Sequence, residues 1–151
     1  MAQPLYLDYP AQSAAYTAPG EYLYGDNVLV APITTANDAN GNGSAGVWVP
    51  PGSWTDYFTG RTYSGGTSAQ ITTTLDTMPV FVRSGGLVVT RTDSVTGDAQ
   101  QPLTAATLTL AADADGSTVL TEDSGQTVKH PAATTLRSVS YTHLTLPTTS
   151  R

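Results

Sequence analysis

The pattern that most resembles a metal site lies in the last third of the chain. Asp113, Asp115 and Gly116 are followed, after five intervening residues, by Glu122, and this spacing overlays the later positions of a calcium-binding loop. The first ligand position, however, is Ala111, which has no side-chain oxygen, and predicted strands flank the pattern where an EF-hand needs helices. We therefore favour a hairpin turn here and predict no metal site.

Glycosyl transfer would require two carboxyl groups about 5–10 Å apart. Glu122 and Asp123 are neighbours, and neighbours on a strand point to opposite faces. Asp8 is a weak candidate for substrate binding because it ends a possible barrel strand, where barrel enzymes build their active sites. Asp56 and Asp76 lie beside predicted turns, where a carboxylate usually caps backbone N–H groups. No residue is predicted to be catalytic.

The histidines and aromatic residues supply no second catalytic group. His130 is isolated, and His143 lies in residues 138–151, a tail that is interpreted below as non-native. No Ser-His-Asp arrangement can therefore be assembled. Five aromatic residues could form either a sugar-stacking platform or the core of a small sandwich: Trp48, Trp54, Tyr57, Phe58 and Tyr63. We favour the core because each ring would bury a large apolar area there, leaving room for one exposed ring at an edge.

The composition excludes several classes of partner. Of the 151 residues only 12% are charged, and the net charge is −6, whereas an average domain is about 25% charged. The 6 basic residues are scattered singly, so we expect neither nucleic acid nor a membrane surface as a partner. No apolar stretch approaches the roughly 20 residues of a membrane span.

Other features concern the origin of the chain. The absence of cysteine excludes disulfides and cysteine-based zinc sites. The first residues lack the basic and apolar regions of a signal peptide, and we interpret Met1 as an internal residue or a miscalled start. Low charge with abundant Thr, Ser and Asn is typical of a secreted bacterial protein, which is the expected localisation.

Apolar runs separated by turn residues predict a mostly β, loop-rich fold. Residues 4–9 predict one buried strand. Pro19 predicts a brief helical turn that ends at Gly25. Residues 28–33 predict a strand bent by its proline, and residues 37–46, with Asn-Gly twice, predict a loop.

The remaining elements extend this pattern. Further strands are predicted at 47–49, 54–58, 62–63, 69–73, 80–82 and 87–89. Residues 59–61 predict a hairpin turn, and the polar segment 93–102 predicts a domain boundary. Residues 107–110 and 118–120 flank an Asp-Gly turn and predict a hairpin that begins a second β unit. Strands spaced about 8–12 residues apart indicate a sandwich or barrel.

The end of the chain is predicted to be foreign to the protein. Residues 139–149 (VSYTHLTLPTT) resemble the translation of a transposase-type sequencing adapter, so residues 138–151 are interpreted as a non-native tail. The alternative is one more Thr-rich strand, since Val139, Tyr141 and His143 alternate acceptably.

Four phrases together resemble the C-terminal part of a glycoside hydrolase family 31 enzyme: PLYLDYP, GEYLYGDNVLVAPI, VPPGSWTDYFTG and LDTMPVFVRSGGLVV. Their order and spacing over residues 4–90 make the resemblance specific. The family contains α-glucosidases and α-xylosidases. Residues 103–128 resemble the opening of the distal β-domain that follows in many members.

The resemblance implies an all-β fold with remnants at both ends. Residues 1–25 would end the catalytic (β/α)8 barrel, residues 26–92 would form the proximal antiparallel β-sandwich, and residues 93–137 would begin a truncated distal β-domain. Its implied partners are carbohydrate, through the intact enzyme, and the missing barrel of the same chain; no cofactor is implied. Apolar surface around Leu5, Leu7 and residues 28–30 is expected to face that barrel and to be exposed here.

The resemblance also implies where the chemistry lies. Members use an aspartate nucleophile and an aspartate acid/base, with retention of anomeric configuration, and both lie on barrel strands upstream of this sequence. No segment matches the motif of the nucleophile, so neither role is carried over and we expect the fragment to be inactive. The alternatives are a stand-alone carbohydrate-binding β-sandwich that uses exposed aromatic residues, or a purely structural cell-surface module.

Overall fold

A computed structural model describes residues 1–92, 103–122 and 132–139. Its strands are β1 (Ala2–Pro4), β2 (Tyr22–Tyr24), β3 (Val28–Val30), β4 (Gly43–Val49), β5 (Ser53–Asp56), β6 (Thr62–Ser64), β7 (Thr67–Thr73), β8 (Val80–Arg83), β9 (Leu87–Arg91), β10 (Ala106–Leu110), β11 (Gly116–Glu122) and β12 (Ala132–Ser138). Two helical turns, α1 (Leu5–Asp8) and α2 (Ser13–Thr17), lie between β1 and β2. No helix in these three ranges is long and apolar enough to cross a membrane.

The strands form one large sheet and three two-stranded ribbons. The sheet has six strands in the order β1-β2-β3-β8-β5-β6, and the ribbons are β4–β7, β9–β10 and β11–β12. Every one of these pairings is antiparallel. The predicted antiparallel all-β fold is therefore confirmed.

The core joins the six-stranded sheet to the β4–β7 ribbon. Leu23, Leu29 and Phe81 are direct cross-strand neighbours on the sheet, and they belong to one buried cluster with Val47 and Ile71 of the ribbon. Each fully buried side chain of this size stabilises the fold by about 1.5–3 kcal/mol. The contact between these two layers is what makes the domain a sandwich.

The hairpin between β5 and β6 forms where turn chemistry predicts it. Gly60 has a φ of +71°, a conformation that costs glycine little. The Asp56 carboxylate accepts N–H bonds from Phe58 at 2.9 Å and Thr59 at 2.8 Å, so its predicted capping role is confirmed. Asp76 is exposed in its turn, and within the described ranges its carboxylate has no hydrogen bond.

The start of the chain differs from the prediction. Residues 4–9 do not form a strand: β1 ends at Pro4 and the helical turn α1 follows. Only Leu5 of α1 is buried, because a single helical turn directs one side chain inward. The predicted helical turn after Pro19 is also wrong, since Tyr22–Tyr24 pairs with β3 and places Leu23 in the core.

The prediction that an apolar surface around Leu5, Leu7 and residues 28–30 is exposed is partly wrong. Leu5 and Leu29 are buried because they belong to the core cluster of this domain, and Val30 is buried outside that cluster. Val28 is half-buried, and Leu7 alone of the expected set is strongly exposed.

Three further predictions differ from the structure in their bounds or in their pairing. The predicted loop at 37–46 ends early, because Gly43 already begins β4, opposite Thr73 of β7. The predicted strand at 54–58 ends at Asp56, where the turn begins. The predicted hairpin between 107–110 and 118–120 is wrong: β10 pairs with β9, and β11 pairs with β12.

The predicted domain limits remain predictions. The limit between residues 25 and 26 falls in the turn that joins β2 and β3, two hydrogen-bonded strands of one sheet. Residues 93–102 and residues 140–151 lie outside the described residues, so only Ser138 and Val139 of the predicted non-native tail (138–151) are described. Val139 is described and exposed.

Candidate functional site

The two helical turns carry an exposed apolar surface, which we call the α1–α2 face and define as Tyr6, Leu7 and Tyr16. These side chains are 42%, 60% and 57% exposed. The tyrosine rings stack with centroids 5.5 Å apart and an angle of 15° between their planes, and the Tyr16 hydroxyl donates to the Pro10 carbonyl at 3.1 Å. The stacked rings and this hydrogen bond connect α2 to α1 and to the segment between them.

Asp8 borders the α1–α2 face, but not at the end of a strand. It is the last residue of α1 and is exposed, and its carboxylate accepts a hydrogen bond from the Gln3 side-chain amide. The structural reason for choosing Asp8, a position at a strand end, does not hold in this fold. Its role in substrate binding stays a prediction.

The aromatic residues divide between core and surface. Trp48 and Trp54 are buried, and the Trp54 indole N–H donates to the Pro50 carbonyl at 2.9 Å. Tyr63 packs edge-on against Phe81 with ring centroids 5.4 Å apart. The core interpretation is confirmed for both tryptophans, which leaves them unable to stack on a sugar.

One exposed ring remains on the β5–β6 hairpin. Phe58 is 52% exposed and meets Tyr57 edge-on, with centroids 5.2 Å apart. The Arg61 guanidinium lies 5.1 Å from the centre of the Tyr63 ring, a cation–π contact that covers that ring.

The acidic pattern of the later strands is only partly covered by the structure. Asp113 and Asp115 are exposed, and Ala111 uses its backbone to bond with Gly85 and Gly86. Within the parts of the chain that the structure describes, no group of three potential ligands (His, Cys, Asp or Glu) is close enough to hold a metal ion. The Glu122 side chain, Asp123 and both histidines lie outside that description.

Glu21 carries a buried carboxyl group that was not predicted from the sequence. Glu21 is only 9% exposed, and its Oε1 accepts the Trp48 backbone N–H at 2.8 Å. Burial raises the pKa of Glu21 to about 7, although the Trp48 N–H bond acts in the opposite direction. No local signal marks this residue, because the strand that buries it begins 22 residues later in the chain.

The six-stranded sheet and the ribbon packed against it define the chain as an antiparallel β-sandwich domain. In comparisons with known families, residues 1–88 match the glycosyl hydrolase family 31 C-terminal domain. The chain therefore belongs to glycosyl hydrolase family 31, and the resemblance of the four phrases is confirmed.

Relatives of known activity match over the same part of the chain. The alpha-glucosidase 2 of Bacillus thermoamyloliquefaciens is 35% identical over 86 residues, which are 57% of this chain and 10% of the relative. The alpha-xylosidase of Saccharolobus solfataricus is 31% identical over 87 residues, or 57% of this chain and 11% of the relative. The matches thus span about a tenth of these enzymes.

Solved structures show the same fold. The alpha-xylosidase of Xanthomonas citri superposes with a TM-score of 0.65 at 32% identity, covering 82% of this chain and 13% of the enzyme. A dextranase of Flavobacterium johnsoniae, solved with glucose, gives a TM-score of 0.78 at 22% identity over 92% of this chain and 18% of the dextranase. At that identity the second match supports the fold alone.

Proposed function

We propose that this chain is the C-terminal supporting portion of a retaining α-glycosidase that hydrolyses α-glucosidic or related bonds in carbohydrates. The observation that carries the proposal is the α1–α2 face, which is apolar and exposed and whose two tyrosine rings stack. Contiguous exposed apolar side chains usually mark an interaction surface. The catalytic barrel of the parent enzyme is the proposed occupant, since relatives extend far beyond the matched segment.

The chain on its own is proposed to be catalytically inactive. Retaining hydrolysis needs two carboxyl groups about 5–5.5 Å apart on opposite sides of the glycosidic bond. Among the described carboxyl groups, Asp56 and Glu21 are already engaged by backbone N–H groups. The carbohydrate specificity of the parent would then lie in the barrel.

A stand-alone carbohydrate-binding module finds less support. That alternative relied on the five aromatic residues between positions 48 and 63, of which Trp48 and Trp54 are in the core and Phe58 alone is exposed. We therefore do not carry it forward as a second function.

The α1–α2 face can be tested on the chain itself. An uncovered apolar face should bind a hydrophobic fluorescent dye and promote self-association in sedimentation velocity experiments. The double variant Leu7→Ser with Tyr16→Ser should lower both signals, and unfolding should change little because exposed positions contribute within about 0.5 kcal/mol.

The matched control changes two other exposed apolar residues, Phe58 and Leu75. Phe58→Ser with Leu75→Ser should leave dye binding and self-association unchanged, since these residues are exposed outside the α1–α2 face. A dispersed monomer without dye binding, or an equal loss of signal in both double variants, would contradict a docking role for this face.

A further inference from the structure

Glu21 occupies a junction between two parts of the sandwich. It lies between α2 and β2, where its own N–H donates to the Ala18 carbonyl at 3.1 Å, and its Oε1 reaches the backbone of β4 at Trp48. Trp48 in turn packs edge-on against Tyr9, with ring centroids 5.8 Å apart. One carboxyl group therefore connects the helical segment to the β4–β7 ribbon.

The second oxygen of this carboxyl group is left without a partner. Oε2 of Glu21 is buried and has no hydrogen bond. A pocket of about 180 Å³ lies beside Glu21, lined by apolar residues and backbone such as Ala31, Pro32 and Val47. None of the other residues that line this pocket has an ionisable side chain. The residues that line this pocket therefore offer no positive charge to a carboxylate, and the Arg83 guanidinium acts on the neighbouring Tyr9.

We propose that Glu21 is a pH-sensitive latch, which holds the residues before β2 against β4 as a neutral carboxylic acid and weakens that contact when it ionises. A neutral carboxyl group still accepts the Trp48 N–H bond. An ionised group would be a buried charge with one unbonded oxygen, which is unfavourable without a compensating partner. The latch itself does not depend on the proposed supporting role of the chain.

The direction of the pH dependence follows from the two states of the chain. In the unfolded chain the carboxyl group ionises with a pKa of 4.5, whereas burial raises the pKa to about 7 in the folded chain. Between these values the folded state holds a proton that the unfolded state has released, so stability falls as pH rises through this window. Tyr9, the other titratable group at this contact, has a raised pKa, mainly from burial, and stays neutral there.

Nuclear magnetic resonance can follow the latch at its acceptor. The backbone amide of Trp48 should titrate with a midpoint near pH 7 in the unsubstituted chain, because its hydrogen-bond acceptor changes charge. Glu21→Gln keeps a carbonyl acceptor and cannot ionise, so the titration should disappear. Asp26→Asn, which removes an exposed carboxylate, should leave it unchanged. A midpoint near the ordinary 4.5 of a glutamate, or a titration that persists in E21Q, would overturn the proposal.

Thermal unfolding provides the second readout. Between pH 5 and pH 8 the unsubstituted chain should lose stability, with a decrease in its folding equilibrium constant of about 70-fold for the change in pKa. The E21Q chain should lose much less stability over this range, and it should be the more stable of the two chains at pH 8. Equal losses in both chains would refute the latch. If E21Q folds poorly, the Trp48 amide titration of the unsubstituted chain still decides the question.

Discussion

The buried residue Trp54 shows how one side chain connects the layers of the sandwich. Its ring is 0% exposed and belongs to the same buried cluster as Phe81 and the β4 valines. Its indole N–H donates to the Pro50 carbonyl at the turn that leaves β4. The ring fills the core while its polar edge fixes a turn, so packing and hydrogen bonding depend on the same residue.

Replacing this ring should be among the most damaging single changes. Trp54→Ala should lower the free energy of unfolding by about 3–5 kcal/mol, because it leaves a cavity and removes the bond to Pro50. Phe58→Ala removes an exposed ring from the neighbouring turn and should change the free energy of unfolding by less than about 1 kcal/mol. Urea unfolding of both variants checks the difference, and similar losses would mean that Trp54 is not in the core.

Glu21 marks the limit of sequence reasoning at this scale. The large apolar residues of the strands are predicted to be core because their type alone favours burial. The burial of Glu21 depends on β4, which is distant in sequence, and nothing in the local phrase GEYLYG indicates that contact. A polar residue buried by tertiary contacts is therefore invisible until the fold is known.

At the scale of elements, close backbone contacts at glycine residues join the turn between β8 and β9 to the segment between β10 and β11. Gly85 donates its N–H to the Ala111 carbonyl at 2.8 Å, and Ala111 donates to Gly86 at 3.1 Å. A Cβ added at Gly116 would lie 1.7 Å from the Gly85 carbonyl oxygen. The two backbones thus meet at a distance that no side chain allows.

This close approach makes Gly116 a specific test of how β11 docks. Gly116→Ala should force the two segments apart and lower the free energy of unfolding by about 1–3 kcal/mol, as overpacking does. It should also speed hydrogen exchange at the Gly85 and Ala111 amides. Gly20→Ala is the control, because a Cβ there meets nothing within 4 Å. Unchanged exchange in the Gly116 variant would argue against this docking.

Elements set by local chemistry were predictable, and those set by distant pairing were not. The β5–β6 hairpin follows from its Thr-Gly-Arg turn, and β7 follows from its alternation of Ala69, Ile71 and Thr73 with polar residues. The partners of β10 and β11 could not be predicted, because an Asp-Gly sequence suits a turn whether or not its flanking strands pair. The short helix α1 was missed because a single apolar turn and a short strand have the same pattern.

For the whole molecule, the family and the fold are established, whereas the role of the α1–α2 face is proposed. Family membership and the antiparallel β fold rest on the matched segment. The site prediction was limited to Asp8, whose place at the end of α1 depends on a helix that the sequence did not indicate. The α1–α2 face was anticipated only through Leu7, since the stacking of Tyr6 on Tyr16 requires the two helical turns to meet.

The central claim is that this chain supports glycosidase chemistry without performing it, and the most direct test is hydrolysis of an aryl α-glucoside. The purified chain should release no more aryl alcohol than buffer does, at any protein concentration, because the two catalytic carboxyl groups are proposed to lie in the barrel of the parent enzyme. Release that increases with the amount of folded chain and disappears on denaturation would contradict the claim. The Asp8→Asn variant would then show whether that carboxylate is responsible.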